Sequence, residues 1–317
     1  MKFDKKNLYN TIVNRMIKMD NITDTPLHKP VMVEEVLDYL NLQSGQTILD
    51  CTAGCGGHAI KILDKIKPDG FLIGIDKDME ILQTAKQSLS KTTGKFKLYH
   101  ADYSDIDEVL RQAEVDKVNG VLLDLGVSSL QFDQADRGFS FAKEAPLDMR
   151  MDRSRGITAQ NLIQRLSETE LGELLWKYGE ERWSRRIARA ILKEEKEVGI
   201  ITTRQLAGVV ERVVPRGKSK IHPATRVFQA LRIAVNKELE NLEIFLDKIY
   251  NYMAVGARIV IISFHSLEDR IVKNKFIEMV KQNVFRILTK KPITPCEAEI
   301  RENIRSRSAK LRVAERI

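Results

Sequence analysis

From Gly45 onward the chain alternates short apolar, β-branched runs with helix-patterned stretches, which restricts it to a parallel sheet with crossover helices. Four runs set the rhythm: Thr47-Ile48-Leu49-Asp50, Phe71-Leu72-Ile73-Gly74-Ile75-Asp76, Phe96-Lys97-Leu98-Tyr99-His100 and Gly120-Val121-Leu122-Leu123-Asp124. They are nearly all apolar, as strands buried on both faces must be, and Ile60 to Ile66 and Met79 to Leu89 between them carry helical spacing. After Asp124 the rhythm stops, and the next comparable run is Arg258 to Ser263. The intervening stretch reads as helical. Ser167 to Glu170 has capping-box spacing ahead of Leu171, Leu174 and Leu175, and Thr203 opens a segment with Leu206, Val209, Val210 and Val213 that Pro215 stops. The pattern predicts a helical domain over residues 134–221, inserted into a sheet domain made of 1–133 and 222–317. Residues 1–25 form an extension. One long helix over 223–253 is expected to lead back to the sheet, and strands within 285–293 and 309–317 to close its edge as a hairpin.

Charge narrows the partner. The chain of 317 residues has 52 Lys and Arg against 44 Asp and Glu, for a net +8. Residues 150–220 carry +6 and residues 286–317 carry +5, leaving the rest at −3. A basic surplus in two patches on a slightly acidic body is the footprint of a polyanion binder. In the first patch Trp183, Ile187 and Ile191 recur at steps of four and predict a packed helix face, with Arg182, Arg185, Arg186, Arg189 and Lys193 around the remainder free for phosphate. Arg301, Arg305, Arg307, Lys310 and Arg312 form a second such strip. No apolar run approaches the ~18 residues of a membrane helix. With three cysteines at no disulfide or zinc-ribbon spacing, the reading is a cytoplasmic chain with no membrane and no metal partner.

Strand one runs into Asp50-Cys51-Thr52-Ala53-Gly54-Cys55-Gly56-Gly57-His58, a glycine-rich turn opening a helix at the carboxyl end of a parallel strand. Such turns bind nucleotides, because glycine admits close backbone approach and the helix end offers free N–H donors. Asp76 ends strand two, where an acid accepts ribose hydroxyls. An adenosine-containing cofactor follows. Asp50 beside the loop disfavours the pyrophosphate of NAD and suits the ammonium and sulfonium of S-adenosylmethionine. The polar run Asp124-Leu125-Gly126-Val127-Ser128-Ser129-Leu130-Gln131 lies where the strand order should reverse and a substrate cleft open. Arg137 to Phe141 and Pro146 to Asp152 mix charges with aromatic or apolar residues; base contact and domain-junction packing both suit them. Ser263-Phe264-His265-Ser266 with Asp269 lacks a nucleophile elbow and is no hydrolase triad. Cys51 and Cys55 lack partner ligands for zinc, and Cys296 lies far from the cleft.

These motifs resemble the bacterial ribosomal RNA small subunit methyltransferase H family. The resemblance is carried by Asp50 to His58, Asp124 to Ser129, Arg137 to Phe141, Pro146 to Asp152 and Tyr178 to Arg182. It continues in His222 to Arg232, Ser263 to Arg270 and Arg307 to Arg312, and runs from about His28 to the end. Leu130 stands where the family usually has proline, and Val255-Gly256-Ala257 where it has a Pro-Gly-Gly turn. The resemblance implies a class I methyltransferase fold, Rossmann-like, with an inserted all-helical, RNA-contacting domain. It implies S-adenosyl-L-methionine as cofactor and N4 of a cytidine in the decoding region of 16S rRNA, within the small ribosomal subunit, as substrate. Carried over residue by residue, the cofactor contacts are Gly56, Gly57, His58, Asp76, Tyr103, Asp124 and Gln131. The Asp/Ser/Asn-Pro-Pro-aromatic motif of DNA amino-methyltransferases is absent after strand four, so the proton acceptor is unassigned; Asp148 or a backbone carbonyl near Ser128 are the two readings. A nicotinamide oxidoreductase and a non-catalytic rRNA-binding assembly factor are the competing classes.

Overall fold

The computed structural model describes residues 30–215 and 222–317, so the expected extension and the last basic residues of the insertion, 216–221, lie outside it. One seven-stranded sheet organises the chain, in the order β3-β2-β1-β4-β5-β7-β6. The strands are β1 Thr47–Asp50, β2 Phe71–Asp76, β3 Lys95–His100, β4 Val118–Asp124, β5 Met253–Ser263, β6 Phe285–Ile287 and β7 Lys310–Arg316. The first five are parallel, and β7 runs antiparallel between β5 and β6. The order reverses between β1 and β4, which puts a ligand crevice at their carboxyl ends.

Alternate strand residues fill opposite cores. Ile48, Leu72, Leu122, Val260 and Ile262 pack against helices α1 (Val33–Leu40) and α2 (Gly57–Ile66). Leu49, Ile73, Ile75, Leu123 and Ile261 face α4 (Ile106–Ala113) and α11 (Glu238–Lys248) on the other side. Burial on both faces explains the unbroken apolar runs of the sequence. Helix α3 (Met79–Leu89) crosses between β2 and β3, and the short α5 (Ser129–Asp133) follows β4.

The helical layer comprises α6 (Ala159–Arg165), α7 (Glu168–Gly179), α8 (Ser184–Glu197), α9 (Thr203–Val213) and α10 (Ala224–Asn236). Its apolar core joins Leu171 and Leu175, Ile187 and Ile191, Leu206 and Val210 to Val227, Phe228 and Leu231 of α10. Ser167 makes the expected capping box with Glu170; for α9 the cap is Thr202, one residue before the expected Thr203.

The long helix expected over 223–253 is instead two, α10 and α11, broken at Lys237, whose φ is +51°. Arg232 Nε and Nη2 donate to the Glu238 carboxylate across the corner, at 2.9 and 2.8 Å, and Asn236 Nδ2 donates to the Met149 carbonyl at 2.8 Å. Tertiary bonds, rather than a glycine or proline, turn the chain. The insertion's junction has a similar anchor. Arg137, only 1% exposed, donates through Nη2 to the buried Asp78 and, at 2.8 Å, to the Met151 carbonyl. Residues 137–141 are thus junction packing: Phe139 is buried, and Phe141 meets Phe228 edge-on and lies tilted over the His222 ring.

Removing one partner of a buried ion pair strands the other charge, at about 3–5 kcal/mol. Arg137→Ala is therefore expected to lower stability by about that amount, read from the urea midpoint.

Candidate active site

The loop from Asp50 to His58 is built by its own backbone bonds. Asp50 Oδ1 accepts from Thr52 N at 3.1 Å, and Gly56 N donates to the Ala53 carbonyl at 2.8 Å. Gly54 and Gly56 have φ of +53° and +89°, a left-handed backbone that side chains resist. Gly56 thereby turns the chain into α2, leaving the helix's first N–H groups aimed at the crevice. Asp76 fastens this loop to β2: its Oδ2 accepts from Gly54 N at 2.9 Å and its Oδ1 from Asp78 N at 2.8 Å. Each carboxylate oxygen keeps a further lone pair for a ligand hydroxyl.

A cavity of about 330 Å³ lies above the β1 and β4 ends. Gly57, His58, Asp76, Tyr103, Asp124 and Gln131 all line it, whereas Gly56 does not and acts through the turn. Tyr103 follows β3 and presents one side to the cavity while its ring packs edge-on against Phe245, centroids 5.6 Å apart. Both ends of the Gln131 side chain are engaged: Oε1 accepts from Ser128 N at 2.9 Å and Nε2 donates to Asp78 Oδ2 at 2.8 Å. Gln131 therefore shapes the wall more than it offers free donors.

The polar groups around the cavity include several without protein partners. His58 Nε2 lies 3.6 Å from Asp124 Oδ2, but neither ring nitrogen of His58 is hydrogen-bonded, and neither is Asp124 Oδ1; Asp50 Oδ2 is also unpaired, although Asp50 lies behind the loop and does not line the cavity. Burial pushes the Asp50 carboxyl up to about 6, with His58 pulling the other way, and burial likewise lifts Asp76 to about 6 against its two backbone bonds. Buried acids and orphaned polar atoms beside a helix N-terminus fit a ligand with an ammonium, a carboxylate and a nearby cation, as the aminoacyl end of S-adenosylmethionine provides. The far wall holds Arg232, Glu238 and Glu268. There Glu238, His265 and Glu268 bring ligand atoms within 4.8 Å of one another. Glu238 is bidentate to Arg232, and Glu268 Oε2 accepts from Phe264 and His265 N, so both carboxylates are already engaged by the protein.

Asp148 is not at the cavity. Its carboxylate takes Arg150 Nε at 2.7 Å and Nη2 at 2.9 Å, and despite partial burial these bonds hold it below the usual carboxylate range. Two further expectations are corrected. Trp183 caps α8 without packing under it and is 42% exposed, while Ile187 and Ile191 are fully buried. Arg312 is buried in β7 on Asp269, so it cannot belong to a phosphate strip. Sequence reasoning missed Asp78 as the helix cap, although an Asp directly before an apolar helical run is a capping signal. It also missed Thr52, whose Oγ1 accepts from Asp124 N at 2.7 Å, and the Lys77–Asp102 pair at 2.9 Å.

A doubly wound sheet with an acid-lined cavity at its switch point defines a class I S-adenosylmethionine-dependent methyltransferase. The comparison with known families is more specific. The profile of the MraW methylase family matches residues 25–317, and the chain belongs to that family. It is similar to proteins named ribosomal RNA small subunit methyltransferase H. That of Caldicellulosiruptor saccharolyticus is 45% identical, covering 92% of this chain and 99% of its own. Those of Thermotoga neapolitana and Persephonella marina are 50% and 48% identical, covering 92% of this chain and 96% and 99% of theirs.

A carboxyl lifted by burial weighs against the folded state once ionised. The cost is absent below the unfolded value near 3.8, grows as pH rises through about 6, and is full above it. Asp50→Asn is thus expected to stabilise the cofactor-free protein at pH 7 by roughly 2–3 kcal/mol, the gain shrinking toward pH 4. The same variant is expected to bind S-adenosylmethionine more weakly by calorimetry, and wild-type affinity to fall as pH drops below about 6.

Proposed function

We propose that this enzyme transfers a methyl group from S-adenosylmethionine to N4 of a cytidine in the decoding region of 16S rRNA, within the small ribosomal subunit and in the cytoplasm. The observation that carries the reading is the close, nearly full-length similarity to small subunit rRNA methyltransferases H. Surface chemistry agrees. Both tryptophans of the chain are exposed at the α7–α8 turn, Trp176 by 58% and Trp183 by 42%. The Arg186 guanidinium sits 5.9 Å over the Trp183 ring, and Arg182 and Arg185 stand exposed beside it. Aromatic faces among free cations suit unpaired bases and phosphates. Among the described residues no helix is long and apolar enough to cross a membrane.

When bound, the cofactor supplies an electrophilic methyl group on a sulfonium. Cytosine N4 is a weak nucleophile because its lone pair is delocalised into the ring, so fixing the amine in line with that methyl group supplies much of the rate. In this reading Gly57, His58, Asp76, Tyr103, Asp124 and Gln131 hold the donor, with Gly56 setting their loop. A backbone carbonyl of the turn ending at Ser128 accepts the hydrogen bond that orients the N4 amine, and the proton released on methyl transfer passes to solvent, since Asp148 is committed to Arg150.

Incubation with methyl-labelled cofactor and unmodified small subunits is expected to label N4 of one decoding-region cytidine. Asp76→Ala should remove the label, and Asp148→Asn should keep the single-turnover rate close to wild type. Label on another atom or on no rRNA, with the cofactor still bound, would overturn the proposal.

A further inference from the structure

At the rim of the methyl-donor cavity two segments 172 residues apart meet. Phe132, in α5, leaves 40% of its surface exposed, while its neighbour Gln131 is buried and bonded to Asp78. Over the Phe132 ring lies the Arg305 guanidinium, 5.2 Å from the centroid, carried by the 3₁₀ turn Ile304–Ser308 ahead of β7. Arg305 also grips the Asp133 carboxylate through both terminal nitrogens. Phe132 and Arg305 both line the cavity, together with Phe264 after β5.

The geometry points to a nucleotide-receiving clamp: the extruded base of the RNA nucleotide to be methylated stacks on Phe132, and Arg305 exchanges Asp133 for a phosphate of the same strand. This rests on the rRNA reading above and adds the residues that deliver the base. Three physical points carry it. An exposed aromatic face at a cavity mouth is the surface on which enzymes hold unstacked bases. Arg305 sits over an aromatic ring with both terminal nitrogens on one carboxylate, the fork by which a guanidinium also takes a phosphate. Its present partner is exposed, and exposed ion pairs are weak, so exchange for a phosphodiester is nearly free of cost. Of the C-terminal basic strip, Arg305 is the member that reaches the cavity: Arg312 is buried on Asp269, and Arg301 pairs with Glu297.

The test compares wild type, Phe132→Ala, Phe132→Trp, Arg305→Ala and Asp133→Asn in full-length protein. Three quantities are read: affinity for S-adenosylhomocysteine, affinity for unmodified small subunits over a salt series, and single-turnover methylation. Phe132→Ala is expected to weaken subunit binding about tenfold with an unchanged salt slope, and Phe132→Trp to restore it. Arg305→Ala is expected to reduce the slope of log affinity against log salt by about one. Asp133→Asn frees Arg305 and should bind at least as tightly as wild type. Wild-type labelling of rRNA with all slopes and affinities unchanged in the variants removes the clamp alone. So does a fall in cofactor affinity and melting temperature with the RNA slope intact, which marks the stack as an internal strut. A wild-type enzyme that labels no rRNA removes the underlying reading and the clamp with it.

Discussion

The Asp78 carboxylate is the point on which the sheet, the cofactor loop and the helical layer depend. Its Oδ1 accepts from Glu80 and Ile81 N and caps α3; its Oδ2 accepts from Gln131 Nε2 and from Arg137. Its own N–H binds Asp76, which in turn holds Gly54. Asp78 and Arg137 are both almost fully buried, so neither charge has water to fall back on. The glycine loop, the ribose acid, the wall after β4 and the entry to the insertion are therefore set by one hydrogen-bonded network. Movement of the insertion's first segment would be felt at the cavity through Gln131.

The site itself concentrates acids in a place where they are costly. Asp50 is buried and Asp76 half-buried, both are lifted toward neutrality, and His58 and Asp124 keep polar atoms unsatisfied. Such strain is tolerated where a ligand relieves it, and a cationic donor end does so better than a pyrophosphate. On the other side of the cavity Arg232 and Glu238 satisfy each other and Glu268 is held by backbone N–H groups, so that wall is already fixed by the protein.

Much of this was legible from residues alone. The runs at 47–50, 71–76 and 120–124 could only be strands buried on both faces, and a glycine loop after the first with an acid after the second leaves little choice of ligand. What stayed hidden depended on contacts distant in sequence. Nothing local marks Lys237 as a corner, because the break is held by Arg232 and Asn236 reaching other segments. Trp183 fits the apolar period of α8 yet stands just before the helix as its N-cap, beyond the packed stripe. Arg137 and Arg312 look like surface cations until their buried partners Asp78 and Asp269 are in place. Charge counts cannot separate those from Arg182 or Arg305.

The most direct test of this account is calorimetric titration of S-adenosylmethionine into Arg137→Met, a residue outside the cavity wall, under conditions where circular dichroism shows the variant folded. A coupled network is expected to cost about fivefold or more in affinity, within the range of coupling between linked sites. Wild-type affinity in the folded variant would contradict the view that Asp78 joins the insertion to the cofactor loop.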